Sequence, residues 1–251
     1  MTLAPEVRSH VSVYPFVGAR SLGVDAFVTD RFGGVSEGPY ESLNLGAHVF
    51  DDDEAVTENR RRVARAAGVE LERLVIVRQV HGVQSVDARH ASATTSADII
   101  VTDDDDVAVA VLVADCVPVL LVDEATRRVV VAHAGWRGLR DGVVASAVRL
   151  LADPARVHAF VGPCISFEGY QVGPEVAAAF AHVPGALHAD EGDRSRLDLR
   201  RVALHELSSI GVPEDHLEVC AQSTDGGETF FSDRTTRPCG RFALVAKRAV
   251  A

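Results

Sequence analysis

No C-x-x-C pair occurs in this chain, although it carries four cysteines, Cys116, Cys164, Cys220 and Cys239. A closed cysteine-type zinc site is thereby excluded. The first twenty residues, MTLAPEVRSHVSVYPFVGAR, lack the apolar core of a signal peptide, which makes the cytoplasm the expected location. In that compartment the cysteines read as thiols or metal ligands, not as a disulfide framework. Positive charge is scarce: 25 Lys and Arg face 36 Asp and Glu, a formal net charge of −11. A surface of that sign repels nucleic-acid backbones and anionic membranes, so neither is an expected partner, and any phosphate-bearing ligand needs a local basic pocket. Long apolar runs are absent too. The longest, Val107 to Val122, is interrupted by Asp115 and Pro118 and reads as two buried strands. The ten histidines form no H-x-H, which argues against coupled copper centres, since these need histidines in paired motifs.

What remains is a chain of 251 residues, 47% hydrophobic, without repeat, linker or low-complexity tract, and one domain over residues 1–251 is expected. Apolar runs rich in Val and Ile predict strands at Val24–Phe32, Leu74–Val80, Ala97–Thr102, Val107–Ala114, Val117–Val122, Val129–Ala134, Val157–Val161 and Phe242–Lys247. The short DEATRR segment predicts an antiparallel hairpin between two of them. Helices are predicted at Glu54–Ala67, opened by an Asp51/Glu54 capping box, and at Leu139–Leu151, Pro174–Ala181 and Leu197–Ile210. Strands and helices do not alternate strictly, so the fold class is α+β, a layered sandwich. The acidic run Asp103–Asp106 reads as a solvated turn between two strands.

Three residues then stand out together. His81 in RQVHG, Cys116 in VADCVPVLL and His133 in VAHAGWRG each sit at a predicted strand end, where they can converge on one cleft. Two imidazoles and a thiolate fall one short of the closed tetrahedral set of structural zinc, which leaves a position for water. A zinc enzyme is the reading that follows. Asp115 puts a carboxylate inside an apolar stretch, so it needs a partner. Three roles are open to it: a hydrogen bond to a metal-bound histidine, general base for the zinc water, or an acceptor of backbone N–H groups.

Arg137 in GWRGL stands beside His133 at a predicted helix start, a setting suited to phosphate or carboxylate, while Arg61 lies on a helix whose arginines mostly face solvent. The loop GPCISFEGYQVGPEV offers Cys164 as a nucleophile, and with it a hydrolase as competitor. TDGGETFFSDR offers Phe230, Phe231 and Arg234 for stacking on a planar ring.

Taken in order, RFGGVS, YESLNLGAHVFDD, ENR, RQVHGVQ, ADCVPVLL, AHAGWRG, GPCISFEGYQVG, FFSDR and CGRFALV resemble the bacterial laccase-domain family, also called multicopper polyphenol oxidases. The resemblance runs from about Arg31 to Lys247. It implies a single-domain four-layer αββα sandwich with one zinc held by His81, Cys116 and His133. It also implies phosphorolysis of adenosine, inosine, guanosine and methylthioadenosine, with adenosine deamination, so that purine nucleoside and phosphate are the expected partners. Editing of peptidoglycan precursors by a hydrolase and copper-dependent oxidation of phenols are the alternatives, copper being able to replace zinc in vitro. From motif position, Asp115 is assigned as acid/base, Arg61 and Arg137 as phosphate donors, and Asn44, Gln79 and Cys164 as nucleoside contacts. Phe50 stands where that family commonly has glycine, and Cys164 where it often has alanine. A monomer is expected, since no exposed apolar seam stands out.

Overall fold

A computed structural model describes residues 2–249. Its strands are β1 (Glu6–Arg8), β2 (Val11–Pro15), β3 (Val24–Thr29), β4 (Leu74–Val75), β5 (Ser85–Asp87), β6 (Ile99–Thr102), β7 (Ala108–Val113), β8 (Val117–Asp123), β9 (Val129–Ala134), β10 (Val157–Val161), β11 (Gln171–Val172), β12 (Leu187–Ala189), β13 (Ser195–Leu197), β14 (Leu217–Val219) and β15 (Phe242–Arg248). The helices are α1 (Val17–Ser21), α2 (Asp53–Ala66), α3 (Trp136–Arg140), α4 (Val143–Val148), α5 (Pro174–Ala179) and α6 (Leu199–Ser209).

Two six-stranded sheets carry the fold, in the orders β1-β2-β3-β15-β7-β4 and β14-β10-β8-β9-β6-β5, with a small sheet β11-β13-β12 beside them. Most neighbours are antiparallel, β8 and β9 forming the expected hairpin; β4 with β7, β5 with β6 and β10 with β14 run parallel. Alternate residues of one strand enter different cores. In β15, Phe242, Leu244 and Ala246 join the cluster between the sheets, whereas Ala243 and Val245 join the one under α2. In β9, Val129 and Val131 point inward and Val130, Ala132 and Ala134 pack under α4 and α6. Both faces of the central strands are therefore covered, which is why their sequences read as continuous apolar runs. Burying each large aliphatic side chain there contributes roughly 1.5–3 kcal/mol. The result is the four-layer α+β sandwich, a single domain. Among the described residues no helix is long and apolar enough to cross a membrane.

The expected elements differ from the observed ones where polar side chains intervene. The Leu74–Val80 run is a strand only at Leu74–Val75, because Gln79 bonds to both the N–H and the carbonyl of Leu112, and Val80, His81 and Gly82 turn their N–H groups to Asp98. The helix expected over 139–151 is two helices, α3 and α4, parted at Gly142, whose φ of +81 no helical residue adopts. Asp52, not Asp51, caps α2, accepting from the Ala55 N–H. Asp51 instead takes the Ser36 hydroxyl and the Asn44 amide.

Candidate metal centre and its cavity

His81, Cys116 and His133 meet although three separate segments deliver them. Their ligand atoms all lie within 4.8 Å of one another, with His81 Nε2 4.0 Å from Cys116 Sγ. A zinc ion about 2.3 Å from sulfur and 2.0–2.1 Å from nitrogen spans such separations with little movement, so the donor set fits the metal. The three are graded in exposure: His81 is exposed, Cys116 intermediate and His133 buried. The set therefore opens outward.

Each ligand is held by its neighbours. His133 is the penultimate residue of β9, and its Nδ1 donates to Asp98 Oδ1 at 2.8 Å, which points Nε2 toward the other donors. Asp98 is fully buried at the entry to β6 and also accepts the N–H groups of Val80, His81 and Gly82 at 3.2, 2.9 and 2.7 Å. That cradle holds His81 at a φ of +58, a left-handed conformation that carries its ring toward Cys116. Gly135 allows the approach: a Cβ there would stand 2.7 Å from His81 Cδ2 and 3.0 Å from Cys116 Sγ. Burial pushes the Cys116 thiol up, but the charge and hydrogen bonds of His133, with those of His81, outweigh it and bring the thiol to about 6. Burial likewise opposes protonation of His133, but the Cys116 thiolate and Asp98 raise it to about 9, so without an ion the two form a thiolate–imidazolium pair, and a bound metal would take the place of the Nε2 proton. Protein groups thus prepare a thiolate, the form a metal binds.

The centre lies in the wall of a cavity of about 370 Å³, a size suited to a small ligand. His48, Gln79, Asp115, Trp136, Tyr170, Asp233, Arg234, Arg237 and Arg241 also line it, with the apolar run Leu112, Val113 and Ala114. In a chain of net charge −11, three arginines from one C-terminal segment bring positive charge to this cavity, beside the carboxylates of Asp115 and Asp233. Asp233 pairs with Arg237 and Arg241 at 2.6 and 3.1 Å, and Arg234 lies over the Tyr170 ring at 4.9 Å. Burial and the Cys116 charge push the Tyr170 phenol up to about 12, so it keeps its proton and can donate.

The other expected site residues are spread more widely than the sequence suggests. Asn44 is fully buried and its amide is used up on Asp51, Gly46 and the Arg241 N–H, so it braces the C-terminal segment and does not line the cavity. Cys164 is fully buried as well and does not line the cavity, and burial pushes its thiol up to about 12, which favours the unreactive protonated form. Arg61 pairs with Glu58 at 2.5 Å and Arg137 lies over Trp136 at 4.3 Å; neither lines the cavity. Gln79 does line it, with its amide fixed on Leu112. Asp115 lines it too, at a φ of +87, but its oxygens already accept from the Thr224 hydroxyl at 2.5 Å and the Arg234 N–H at 2.7 Å. The histidine partner is Asp98, which the sequence reading missed; its signal was a carboxylate directly before the apolar IIV of β6.

A model of the family described as multi-copper polyphenol oxidoreductase laccase matches residues 25–249. A Streptomyces coelicolor protein named purine nucleoside phosphorylase is 42% identical over 86% of this chain and 91% of its own length. The Escherichia coli protein YfiH, also named purine nucleoside phosphorylase, is 38% identical over 88% of this chain and 92% of its own. Among solved structures, YlmD from Geobacillus stearothermophilus superposes with a TM-score of 0.89 at 31% identity, covering 99% of both chains. With the family model matched over residues 25–249, relatives this similar along most of the chain and a fold shared with YlmD, the chain belongs to the multi-copper polyphenol oxidoreductase laccase family, the family of the YfiH proteins.

Proposed function

We propose that this chain is a zinc-dependent purine nucleoside phosphorylase, acting on adenosine, inosine, guanosine and methylthioadenosine, with adenosine deaminase activity in the same cavity. One observation carries the reading: the His81, Cys116 and His133 donors share a cavity of about 370 Å³ with Arg234, Arg237 and Arg241. A metal-binding group and an anion pocket side by side suit a substrate pair of nucleoside and phosphate. The names of the relatives support the same pair.

In phosphorolysis a phosphate oxygen forms a bond to C1′ of the ribose, the glycosidic C–N bond breaks, and the base leaves with a proton. The arginines hold the dianion by charge-assisted hydrogen bonds, and their fork geometry orients the attacking oxygen. Trp136 and Tyr170 offer apolar ring surface for the purine, and the protonated Tyr170 phenol offers a hydrogen bond. Asp115 acts here by position: it pins Thr224 and the Arg234 backbone, and so keeps the arginine-bearing segment against the cavity. When bound, zinc would supply Lewis acidity beside the purine and make hydroxide available near neutral pH, as deamination needs. Asp98 keeps the His133 lone pair directed for that ion.

Chromatography of adenosine incubated with the zinc-loaded protein, with and without phosphate, tests the proposal. Free base appearing only with phosphate, and inosine appearing in both incubations, is the expected result. Adenosine unchanged in both would overturn it.

A further inference from the structure

A second set of metal-type donors lies at the other end of β8. Cys116 precedes the first residue of this strand and Glu124 follows the last, so roughly 26 Å of extended chain separates the two clusters. Glu124, His158 and His216 bring a carboxylate and two imidazoles together, their ligand atoms all within 4.8 Å of one another. None of the three touches the cavity described above.

Sheet register explains the meeting. In the antiparallel pair of β8 and β10, His158 stands opposite Val122, and Glu124 is two residues further along the same face. The Glu124 N–H donates to the Arg156 carbonyl at 3.1 Å, which continues the pairing and fixes that residue's place. In the parallel pair of β10 and β14, Ala159 stands beside Leu217, so one step back His216 comes beside His158. The two rings stack at 3.9 Å with an interplanar angle of 13°. His158 Nε2 lies 3.2 Å from Glu124 Oε2, and His216 Nδ1 donates to the Val157 carbonyl at 3.3 Å. The last bond selects the tautomer with its lone pair on Nε2, as the backbone bond of a metal-ligating histidine commonly does. Two neutral imidazoles with one carboxylate suit zinc or another divalent transition metal. The imidazole χ2 torsion is soft, so a modest tilt turns the stacked rings onto one ion.

We infer that Glu124, His158 and His216 form a second divalent-metal site, which ties the turn after β8 to β10 and to the turn before β14. Such an ion staples the edge strand β14, the last strand of its sheet and joined to it through β10 alone. The ligands sit on regular strands and a short turn, so little ordering opposes binding.

Calorimetric titration of the chelator-stripped protein with zinc chloride tests the inference. Two ions per chain are expected for the wild type, one for Cys116→Ser, and one for His216→Gln. Cobalt titrated into Cys116→Ser should develop d–d absorption without a thiolate-to-cobalt band, and that absorption should vanish on adding His216→Gln. Zinc should raise the Tm of Cys116→Ser but not that of the double variant. Glu124→Gln, at an exposed position, repeats the test without touching the core, and circular dichroism of the stripped variants checks that each is folded. His216→Gln should leave nucleoside turnover unchanged. One ion per chain in the wild type, or a second ion indifferent to both His216→Gln and Glu124→Gln, would overturn the inference.

Discussion

The Nδ1 atom of His133 lies 2.8 Å from the Oδ1 atom of Asp98, and the same buried carboxylate gathers the N–H groups of the segment that carries His81. One side chain thus sets the tautomer of one ligand and the backbone of another. Asp98→Asn should weaken zinc by about 10–100-fold, the usual effect of losing such a partner. Competition against a chromogenic chelator measures this. An unchanged affinity would remove Asp98 from the centre.

Gly135 matters for space, not for conformation. Its missing Cβ would meet His81 Cδ2 and Cys116 Sγ at 2.7 and 3.0 Å, so Gly135→Ala should push both donors apart. We expect zinc affinity to fall at least about tenfold, while overpacking destabilises the stripped protein by about 1–3 kcal/mol. Chelator competition and urea unfolding separate the two effects. Retention of tight zinc by Gly135→Ala would show that the donors do not close on one ion.

The proposed anion pocket predicts a contrast among arginines. Arg237→Ala and Arg234→Ala should each raise the KM for phosphate by roughly 10–100-fold, the range for a lost hydrogen bond to a charged group. Arg61→Ala and Arg137→Ala, outside the cavity, should leave it within about twofold. Steady-state phosphorolysis at varied phosphate reads all four. The opposite ranking would move the phosphate to the mouth of α3.

Stability should depend on pH through Glu206 on α6. Burial raises its carboxyl from 4.5 to about 7, against opposing hydrogen bonds from the Ala145 and Val144 N–H groups. Between those values the folded chain binds more protons than the unfolded one, so stability falls as pH rises through the window. Glu206→Gln should lose that decline, matching the wild type below pH 4.5 and exceeding it above pH 7. Urea midpoints measured from pH 4 to 8 check this, and parallel curves would contradict it.

The central sheets were readable in the sequence because strands such as β8 and β9 are apolar on both faces and bounded by polar turns. The edges were not: β5, β11, β12 and β14 are two or three residues long and partly exposed, too short for a period. The candidate metal group could be found because Cys116 directly precedes β8, His133 lies one residue from the end of β9, and His81 stands beside Gly82 after an apolar run that reads as a strand, although that strand stops at Val75. Asp98, Arg237 and Arg241 could not, since only the pairing of β6 with β9 and the return of the C-terminal segment bring them there; Arg234 was legible only as a residue for stacking on a ring. Phe50 is a local case. Its φ of +66 lies in the region that favours glycine, which accounts for the residue the related pattern carries.

Zinc content measured beside phosphate-dependent release of base from adenosine, for the wild type and for Cys116→Ala, tests the central claim most directly. We predict that the wild type holds its tight ion and releases base, and that Cys116→Ala, folded by circular dichroism, loses both together. Full turnover by a Cys116→Ala protein without that ion would contradict the account.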